Sequence, residues 1–350
     1  MSLRPILEQK LIKNIKKALA AFDSLFKAKS RLLIIVHNNP DPDALASAAA
    51  LSYLAKERYQ ADTSIACGGA VGRAENRVLL RHLKIRLKQI KRIRLSSYNL
   101  FAFVDTQPSA GNHPPLRLKN CHFVFDHHPL RAETRAELLL IYPELGATAT
   151  ILTLILRSLK LAIPSNLATA LTYALSSETQ NLKREATRLD LEAYLWVYVK
   201  ANLRMLAEIM QPNLSHSYFR LLLMALKQAL VFRNLICIHL QEISQPEIVS
   251  EMANFFLRHE RISWVLVTGR FGKDLILSLR TRAKNRHAGE LLSHIAQTDI
   301  TVGGHEHSAG GFLASACKTK EEAILYEQRL QSAFALQLGL ANPEWKSLLD

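Results

Sequence analysis

The amino-acid sequence predicts an α/β protein with two α/β lobes that are joined by a helical linker. Strand-like apolar runs alternate with helical patterns from residue 31 to about residue 175, which is typical of a parallel sheet covered by helices on both faces. Two long helical patterns follow, and strand-like runs begin again at Leu235. The chain of 350 residues also exceeds the ~250–300 residues that one hydrophobic core usually serves.

The first lobe is predicted at 31–186, after an amphipathic N-terminal helix at 1–30 that docks by its apolar side. Each strand-like run in this lobe is short, and the helical patterns between the runs repeat every 3.6 residues. Strands are predicted at Leu32–Val36, Thr63–Ala66, Leu100–Val104, His122–Phe125 and Leu138–Tyr142, and helices at Ala44–Lys56, Glu75–His82, Thr148–Leu159 and Asn166–Leu175.

The helical linker is predicted at 187–231, where the helical patterns Thr187–Met210 and Ser215–Val231 flank Pro212. The second, smaller lobe is predicted at 232–340. Its predicted strands are Leu235–Leu240, Trp264–Thr268 and Leu275–Arg280, and its predicted helices are Pro246–Arg258, Ala288–Gln297 and Thr319–Leu338, with a glycine-rich loop before the last helix.

The composition indicates a globular protein of the cytoplasm. Hydrophobic residues make up 49% of the chain, but no apolar run approaches the ~18 residues that a membrane span requires. The N-terminus lacks the apolar segment of a signal peptide. The four cysteines lie far apart without a C-x-x-C pair, so we expect reduced structural thiols and no membrane partner.

Positive charge is a marked feature of the chain. The 45 Lys and Arg exceed the 30 Asp and Glu by 15, which favours polyanionic partners. Seven of these cations lie in residues 81–95, RHLKIRLKQIKRIRL. This basic run is interpreted either as a solvated surface or as part of an electrostatic funnel around a phosphate site.

Acidic and histidine side chains follow three of the predicted strands of the first lobe, and a further acid ends a helical run. The residues are His37, Asp41 and Asp43 after the first strand, Asp105 after the third, Asp126, His127 and His128 after the fourth, and Glu178 after the helical run. Because ligands bind at the carboxyl ends of parallel strands, we expect these side chains to converge on one edge of the sheet.

A structural interpretation exists for each of these residues taken alone. Asp41 and Asp43 suit a turn and a helix N-cap, with Asp43 as the cap, and two adjacent histidines suit an exposed surface. Taken together, however, clustered carboxylates repel one another unless a cation neutralises them. Carboxylate and imidazole ligands without thiolates favour manganese. Their number favours two ions, the usual apparatus for phosphate ester hydrolysis.

The same residues resemble the first three motifs of the DHH phosphoesterase superfamily. The resemblance is carried by HNNPDPDA at His37–Ala44, by Asp105, and by DHH at Asp126–His128. In the second half, VGGHEHSAGGF at Val302–Phe312 resembles the glycine and histidine loop of the DHH-associated C-terminal domain. The resemblance extends from residue 31 to about residue 338 and implies a catalytic domain followed by a substrate-binding domain.

The resemblance also implies roles for single residues. One Mn²⁺ would be held by His37, Asp41 and Asp105, and a second by Asp43, Asp105, His127 and Glu178. Mg²⁺ or Co²⁺ are alternatives to Mn²⁺. Asp105 would bridge the ions, His128 would face the scissile phosphate, and Asp126 would orient an imidazole.

In the second lobe the resemblance implies that Arg280, Gly303, Gly304 and His305 contact a phosphate or nucleotide. A competing interpretation makes His305 and His307 an H-x-H metal site. The chain departs from the family pattern at two positions. Glu178 stands where the family usually has aspartate, and Val302 stands where it has the first glycine of the loop.

Within the superfamily, the sequence most resembles the NrnA-like group of oligoribonucleases, bisphosphate phosphatases and cyclic-dinucleotide phosphodiesterases. Only one helix and a short tail are predicted after the glycine-rich loop, which disfavours an appended domain for long single strands. We therefore expect a manganese-dependent phosphodiesterase acting on short oligonucleotides or adenosine 3′,5′-bisphosphate, and the resemblance implies a homodimer. The alternatives are a nucleotide sensor with weak hydrolysis and a RecJ-like single-strand exonuclease.

Overall fold

The structure is a computed structural model, and it describes residues 4–69, 71–116, 118, 121–183, 186–283, 286–296, 301–304, 306–314 and 319–349. The chain forms two compact units, Met1–Pro212 and Asn213–Asp350. The finer division into an N-terminal helix, two domains and a linker stays a prediction. Among the described residues, no helix combines the length and apolarity needed to cross a bilayer.

The first unit is built on a six-stranded sheet in which every described pairing is parallel, as predicted. Its strands are β1 (Arg31–Ile35), β2 (Asp62–Cys67), β3 (Lys88–Gln89), β4 (Leu100–Val104), β5 (Phe123–Asp126) and β6 (Leu138–Ile141). Their order across the sheet is β3-β2-β1-β4-β5-β6. The order therefore reverses between β1 and β4, and such a switch point is where open α/β sheets bind ligands.

Seven helices are described in the first unit: α1 (Arg4–Leu25), α2 (Pro42–Tyr59), α3 (Ala74–Leu83), α4 (Thr148–Ser158), α5 (Ser165–Glu178), α6 (Arg188–Tyr198) and α7 (Leu203–Met210). The N-terminal helix docks on the sheet, where the fully buried Phe22 lies 5.2 Å from Phe123 between ring centroids. Helix α2 is alanine-rich and almost entirely buried up to Ala55, so its start is held firmly beside β1.

The second unit contains a mixed sheet, with β8 and β9 parallel and the other described neighbours antiparallel. Its strands are β7 (Leu230–Phe232), β8 (Leu235–Glu242), β9 (Trp264–Phe271), β10 (Asp274–Thr281), β11 (Thr301–Gly304), β12 (Ser308–Leu313) and β13 (Lys346–Ser347), in the order β11-β12-β10-β9-β8-β7-β13. Its helices are α8 (His216–Gln228), α9 (Glu247–Phe256), α10 (Ala288–Ala296) and α11 (Lys320–Gln337).

Three segments differ from the sequence-based expectation. The pattern at Thr187–Met210 forms two helices rather than one, because Asn202 accepts a hydrogen bond from the backbone N–H of Met205 and begins α7 as its N-cap. The helix predicted to reach Val231 ends at Gln228, and the chain then pairs with β8. Much of the predicted glycine-rich loop is extended, since β11 and β12 pair antiparallel.

Candidate metal centre

The switch point of the first sheet brings together the acids and histidines that the sequence singles out. His37 follows β1, Asp105 follows β4, and the DHH triplet lies at the end of β5. Asp41 and Asp43 stand at the start of α2, which leaves the sheet directly after β1. Three loops and one helix start therefore deliver these side chains to a single edge.

A first group of ligand atoms contains His37, Asp41 and Asp105. The Nε2 atom of His37 lies 3.8 Å from Asp41 Oδ1 and 3.6 Å from Asp105 Oδ2. These separations exceed the ~2.7–3.2 Å of a hydrogen bond, but they suit ligand atoms that surround one cation.

A second group lies on the other side of Asp105. The Nε2 atom of His127 is 3.7 Å from Asp105 Oδ1 and 3.9 Å from Asp43 Oδ2. The mutually close ligand atoms on this side belong to Asp105, His127 and His128, and Asp43 is outside that set. His128 Nδ1 lies 4.0 Å from Asp105 Oδ1 but only 2.8 Å from Asp126 Oδ1, to which it hydrogen-bonds. Asp105 thus turns one oxygen to each group, which is the arrangement that a bridging carboxylate requires.

Asp105 is held in an unusual backbone conformation. Its φ angle is 57°, in the left-handed region, which aspartate tolerates better than most residues. Its side chain is buried, and its Oδ1 accepts a 2.8 Å hydrogen bond from the hydroxyl of Thr148. Backbone strain of this kind accumulates at functional sites, where the surrounding structure holds it in place.

Asp43 is anchored by a helix other than its own. Its carboxylate accepts hydrogen bonds from the backbone N–H groups of Thr148 at 2.7 Å and Ala149 at 2.8 Å, and so caps the start of α4. The N-cap of α2 is instead Asp41, which accepts from the N–H of Ala44 at 2.9 Å. The expectation that Asp43 caps the helix following it is therefore wrong, because its side chain points across to α4.

The electrostatics of the cluster favour a bound cation. Burial, and then repulsion from Asp105, raise the pKa of Asp43 to about 7. Burial opposes protonation of His37, yet its contacts with Asp105 and Asp41 raise its pKa well above the usual value. Buried carboxylates that hold protons at neutral pH lack sufficient positive charge around them, and a divalent ion would supply it.

His128 and Asp126 form a hydrogen-bonded pair beside the metal ligands. His128 Nδ1 lies 2.8 Å from Asp126 Oδ1, and the hydrogen bond to Asp126 raises the pKa of this imidazole. Burial favours the neutral form of Asp126, but its bonds to His128 lower the pKa of the carboxyl overall. The His128 side chain is 45% exposed, so its Nε2 remains available to a bound molecule.

Glu178 ends α5 next to the cluster. Burial, followed by repulsion from Asp41, Asp43 and Asp105, raises the pKa of Glu178 well above its usual value. Its carboxylate is not a member of either group of ligand atoms found among the described residues. The structure therefore places Glu178 within electrostatic reach of the site and leaves its ligand role as a prediction.

Two polar residues that the sequence did not single out position the site. Gln107 donates to Asp126 Oδ2 at 2.8 Å and accepts from the N–H of Arg131 and the hydroxyl of Thr134. Thr148 bonds both Asp43 and Asp105. Gln107 lies two residues after Asp105 in a loop, and this position is the sequence feature that could have identified it. Thr148 is hidden in a helical pattern.

The segment from Gly68 to Asn76 supports the loop that carries His37 and Asp41. A side chain at Gly68 would overlap Asn38 Oδ1, and one at Gly69 would overlap Asn39. Asn76 donates to the carbonyl of Pro40 at 3.0 Å. The two glycines thus permit a close approach of two backbone segments, a role that the sequence alone did not assign.

In the second unit, the predicted substrate residues that the structure describes lie on β10 and β11, which flank β12 in the sheet. Arg280 is near the end of β10 and pairs in register with Ser308 of β12, and its guanidinium bonds Asn254 Oδ1 at 3.0 Å and the Ala309 carbonyl at 3.1 Å. A Cβ on Gly304 would strike Ala309, so packing explains this glycine, whereas Gly303 faces open space. His305 lies outside the described residues.

Comparisons with known proteins agree with this geometry. The model of the DHH family, N-terminal domain, matches residues 31–175. An uncharacterized protein of Methanocaldococcus jannaschii is 36% identical over 346 residues, which are 97% of this chain and 70% of that protein. A protein of Enterococcus faecalis named probable manganese-dependent inorganic pyrophosphatase is 26% identical over 166 residues. These are 47% of this chain and 53% of that relative, so the chain spans about half of its length.

Two solved structures share the fold. An exopolyphosphatase-related protein from Bacteroides fragilis has a TM-score of 0.70 at 14% identity, over 93% of this chain and 98% of that one. RecJ from Thermus thermophilus, in complex with Mn²⁺, has a TM-score of 0.52 at 16% identity, over 95% of this chain and 55% of that one. The family match shows that residues 31–175 form a DHH family N-terminal domain, and the M. jannaschii relative matches along nearly the whole chain.

Proposed function

We propose that this chain is a manganese-dependent phosphodiesterase or phosphatase that hydrolyses short oligonucleotides, linear or cyclic dinucleotides, or adenosine 3′,5′-bisphosphate. The observation that carries the proposal is the position of Asp105, with one carboxylate oxygen toward His37 and the other toward His127. Phosphoryl transfer at two metal ions uses such a shared carboxylate.

The donor set fits divalent manganese. One ion would be held by His37, Asp41 and Asp105, and a second by Asp43, Asp105 and His127, with Glu178 completing the second set. Oxygen and imidazole ligands without thiolates suit Mn²⁺, and Mg²⁺ or Co²⁺ would fit the same donors. When bound, such ions activate water and stabilise negative charge on the phosphoryl group.

The side chains around the ligands have complementary tasks in this proposal. Asp126 keeps a proton on Nδ1 of His128, and Gln107 holds Asp126 in place. The exposed Nε2 of His128 would donate a hydrogen bond to a phosphoryl oxygen or to the leaving-group oxygen. Because His128 is cationic when it donates, it also offsets charge that develops on the phosphate.

Residues of the second unit are proposed to bind the substrate phosphate or base. Arg280 offers a guanidinium next to the glycine-rich strands, and Gly303 leaves its backbone accessible because no atom lies near the position of a Cβ. Gly304 and His305 complete the proposed set. The NrnA-like subgroup is proposed because the motifs of both halves occur in one chain.

Hydrolysis of inorganic pyrophosphate is a second candidate function. It is favoured by the E. faecalis relative and by a protein of Streptococcus equi subsp. zooepidemicus, 25% identical over 160 residues, which carries the same name. The same metal ligands would serve both reactions, since each is an attack of water on phosphorus. Substrate choice distinguishes the two candidates.

A substrate panel with purified protein and Mn²⁺ tests both candidates. We expect turnover of labelled di- to pentanucleotides, cyclic dinucleotides or adenosine 3′,5′-bisphosphate, and its loss on chelation. The Asp105→Asn variant is the matched control, because asparagine also tolerates a left-handed backbone. Turnover of pyrophosphate alone would favour the second candidate, and absence of manganese-dependent turnover of every substrate would refute both.

A further inference from the structure

The basic run of residues 81–95 contributes to a cavity that is separate from the metal ligands. This cavity, which we call the basic cavity, has a volume of about 430 Å³ in the first unit. It is lined by residues of α2, β2 and α5 and by the chain after α3. One of its lining residues, Lys56, lies thirteen residues after Asp43 on α2, or about 20 Å along the helix axis at 1.5 Å per residue.

The lining of the basic cavity is cationic. Four positive side chains line it, namely Lys56, Lys84, Arg86 and Lys88, and no acidic residue does. Among the residues that the structure describes, none of the four has an ion-pair partner, and Lys88 bonds only the neutral hydroxyls of Ser64 at 2.8 Å and Tyr98 at 3.4 Å. Four uncompensated cations in one cavity attract an anion.

The start of α5 adds partial positive charge to the same cavity. Pro164, Asn166 and Leu167 are lining residues. Pro164 is the N-cap and provides no capping side chain, and the N–H groups of Ser165 and Asn166 have no acceptor in the described part of the chain. Free N–H groups at the start of a 14-residue helix favour phosphate.

Three cations of the basic run lie together at the cavity. Lys84, Arg86 and Lys88 are exposed, and the half-buried Ile85 lines the same cavity between them. Uncharged hydroxyl and amide groups of Ser52, Thr63 and Asn166 line the cavity as well.

We infer that the basic cavity is a second anion-binding site, which holds the phosphate group of a nucleotide at a distance from the metal ligands. The phosphate is carried either by a free mononucleotide or by a single-stranded oligonucleotide. Arg86 and the lysines neutralise its charge, and the N–H groups at the start of α5 donate to its oxygens. This site is independent of the hydrolysis proposed above, because it uses none of the same residues.

Binding measurements on full-length protein test this inference. Calorimetry with chelator present would follow inorganic phosphate, adenosine 5′-monophosphate and a labelled single-stranded decanucleotide in wild type and in Lys84→Gln/Arg86→Gln. We expect the variant to lose at least about tenfold in affinity, since it removes two cations that make charge-assisted hydrogen bonds to the phosphate. Lys16→Gln/Lys17→Gln is the control, because it removes the same charge from exposed positions on α1.

The ligands used in the calorimetry distinguish a free nucleotide from a strand as the source of the phosphate. Weakened binding of adenosine 5′-monophosphate in the variant identifies a free nucleotide as sufficient. If only binding of the decanucleotide is weakened, the ligand is a strand. The magnitude of the slope of log K against log[salt] should then fall by about 1.4, or 0.7 for each lost phosphate contact. If the variant and the control bind every ligand equally, the inference is overturned. Turnover with Mn²⁺, measured in parallel, should be unchanged in the variant toward a dinucleotide substrate.

Discussion

At the scale of single residues, a few side chains of the site make several contacts each. Asp105 faces both groups of ligand atoms while it also bonds Thr148. Thr148 in turn donates its N–H to Asp43. A change at one of these residues therefore alters the position of several ligands, and single substitutions there are not expected to have additive effects.

Glu178 provides the first prediction. Its raised pKa means that the folded protein binds a proton more tightly than the unfolded chain does, so its contribution to stability falls as the pH rises above the unfolded value. In chelator, Glu178→Gln should raise the free energy of unfolding at pH 8, with the gain vanishing toward pH 4. Urea denaturation at both pH values measures this.

The same variant tests the metal role of Glu178. We expect weaker Mn²⁺ binding, because a carboxylate near the cation is lost. Glu57→Gln, at an exposed position on α2, serves as the control for a simple change in net charge. Unchanged stability in chelator would contradict the electrostatic position assigned to Glu178, and unchanged affinity would contradict its role near the ions.

The convergence of His37, Asp105 and the DHH triplet was predictable from the sequence because each follows a strand whose end is recognisable. The hydrogen bonds that hold these residues in place were not predictable. The bonds of Asp43 to the start of α4 join residues more than 100 positions apart, and local patterns carry no information about such pairs. Gln107 is likewise an ordinary loop residue until its bonds to Asp126 and Arg131 are seen.

At the scale of elements, the loop after β1 is shaped by the loop after β2. Gly68 and Gly69 allow Asn38 and Asn39 to approach, and the φ angle of Asn39 is 46°, in the left-handed region. Asn76, at the start of α3, bonds the carbonyl of Pro40. Two neighbouring loops thus fix the direction in which His37 and Asp41 point.

Substitution of Gly68 tests this support. In Gly68→Ala the added methyl group would overlap Asn38 and Pro114, and overpacking of this kind costs about 1–3 kcal/mol. We expect a lower free energy of unfolding together with weaker Mn²⁺ binding. Gly310→Ala is the control, because its Cβ would meet only the Leu277 carbonyl at 3.9 Å. Metal affinity equal to wild type in Gly68→Ala would argue against the supporting role.

Elements were predicted best where the sequence pattern was long or the strand was buried on both faces. The short edge strands β3 and β13 have two residues each, and no apolar run in the sequence indicates them. Most of strand β7 falls within the predicted helix Ser215–Val231, because its three apolar residues fit either period. Strands β11 and β12 each contain two glycines, which are typical of loops and obscure the strand pattern in the sequence.

At the scale of the whole molecule, two units with separate cores carry different kinds of polar groups. The first unit concentrates its buried acids at the switch point. The second has a buried network in which His239 Nδ1 lies 2.8 Å from the hydroxyl of Thr268, which donates to Glu327 at 2.8 Å. Because that hydroxyl donates to Glu327, it accepts a hydrogen bond from the N–H at Nδ1 of His239.

This network predicts a pH dependence of stability. Burial lowers the pKa of His239 despite the nearby Glu327, so below about pH 6.5 the unfolded chain binds a proton that the folded chain does not. Wild-type stability should therefore fall by up to about 1 kcal/mol between pH 7 and pH 5.5 through this residue. This contribution to the fall in stability should be absent in His239→Gln.

Comparison of the two proteins isolates this contribution from other titrating groups. The variant should be less stable than wild type at pH 7.5, because the bonds of the network are lost. The difference in free energy of unfolding between wild type and the variant should be smaller at pH 5.5. A gap that widens on acidification, measured by urea denaturation, would mean that His239 is protonated in the folded protein.

The division into two α/β lobes was predictable from the alternation of strands and helices and from the length of the chain. The mixed character of the second sheet was not, since antiparallel pairing of β9 with β10 depends on a turn at Gly272. The separate basic cavity also escaped prediction. The basic run was visible in the sequence, but its contact with the start of α5 was not.

Calorimetric titration of Mn²⁺ into metal-free wild type and Asp105→Asn tests whether Asp105 is shared by two ions. We predict two bound ions per chain in wild type. Because Asp105 faces both groups of ligands, its substitution should weaken both binding events by more than about 100-fold, the upper range for changes in outer-shell partners. Two binding events with wild-type affinities in Asp105→Asn would contradict the shared carboxylate and the proposed metal centre with it.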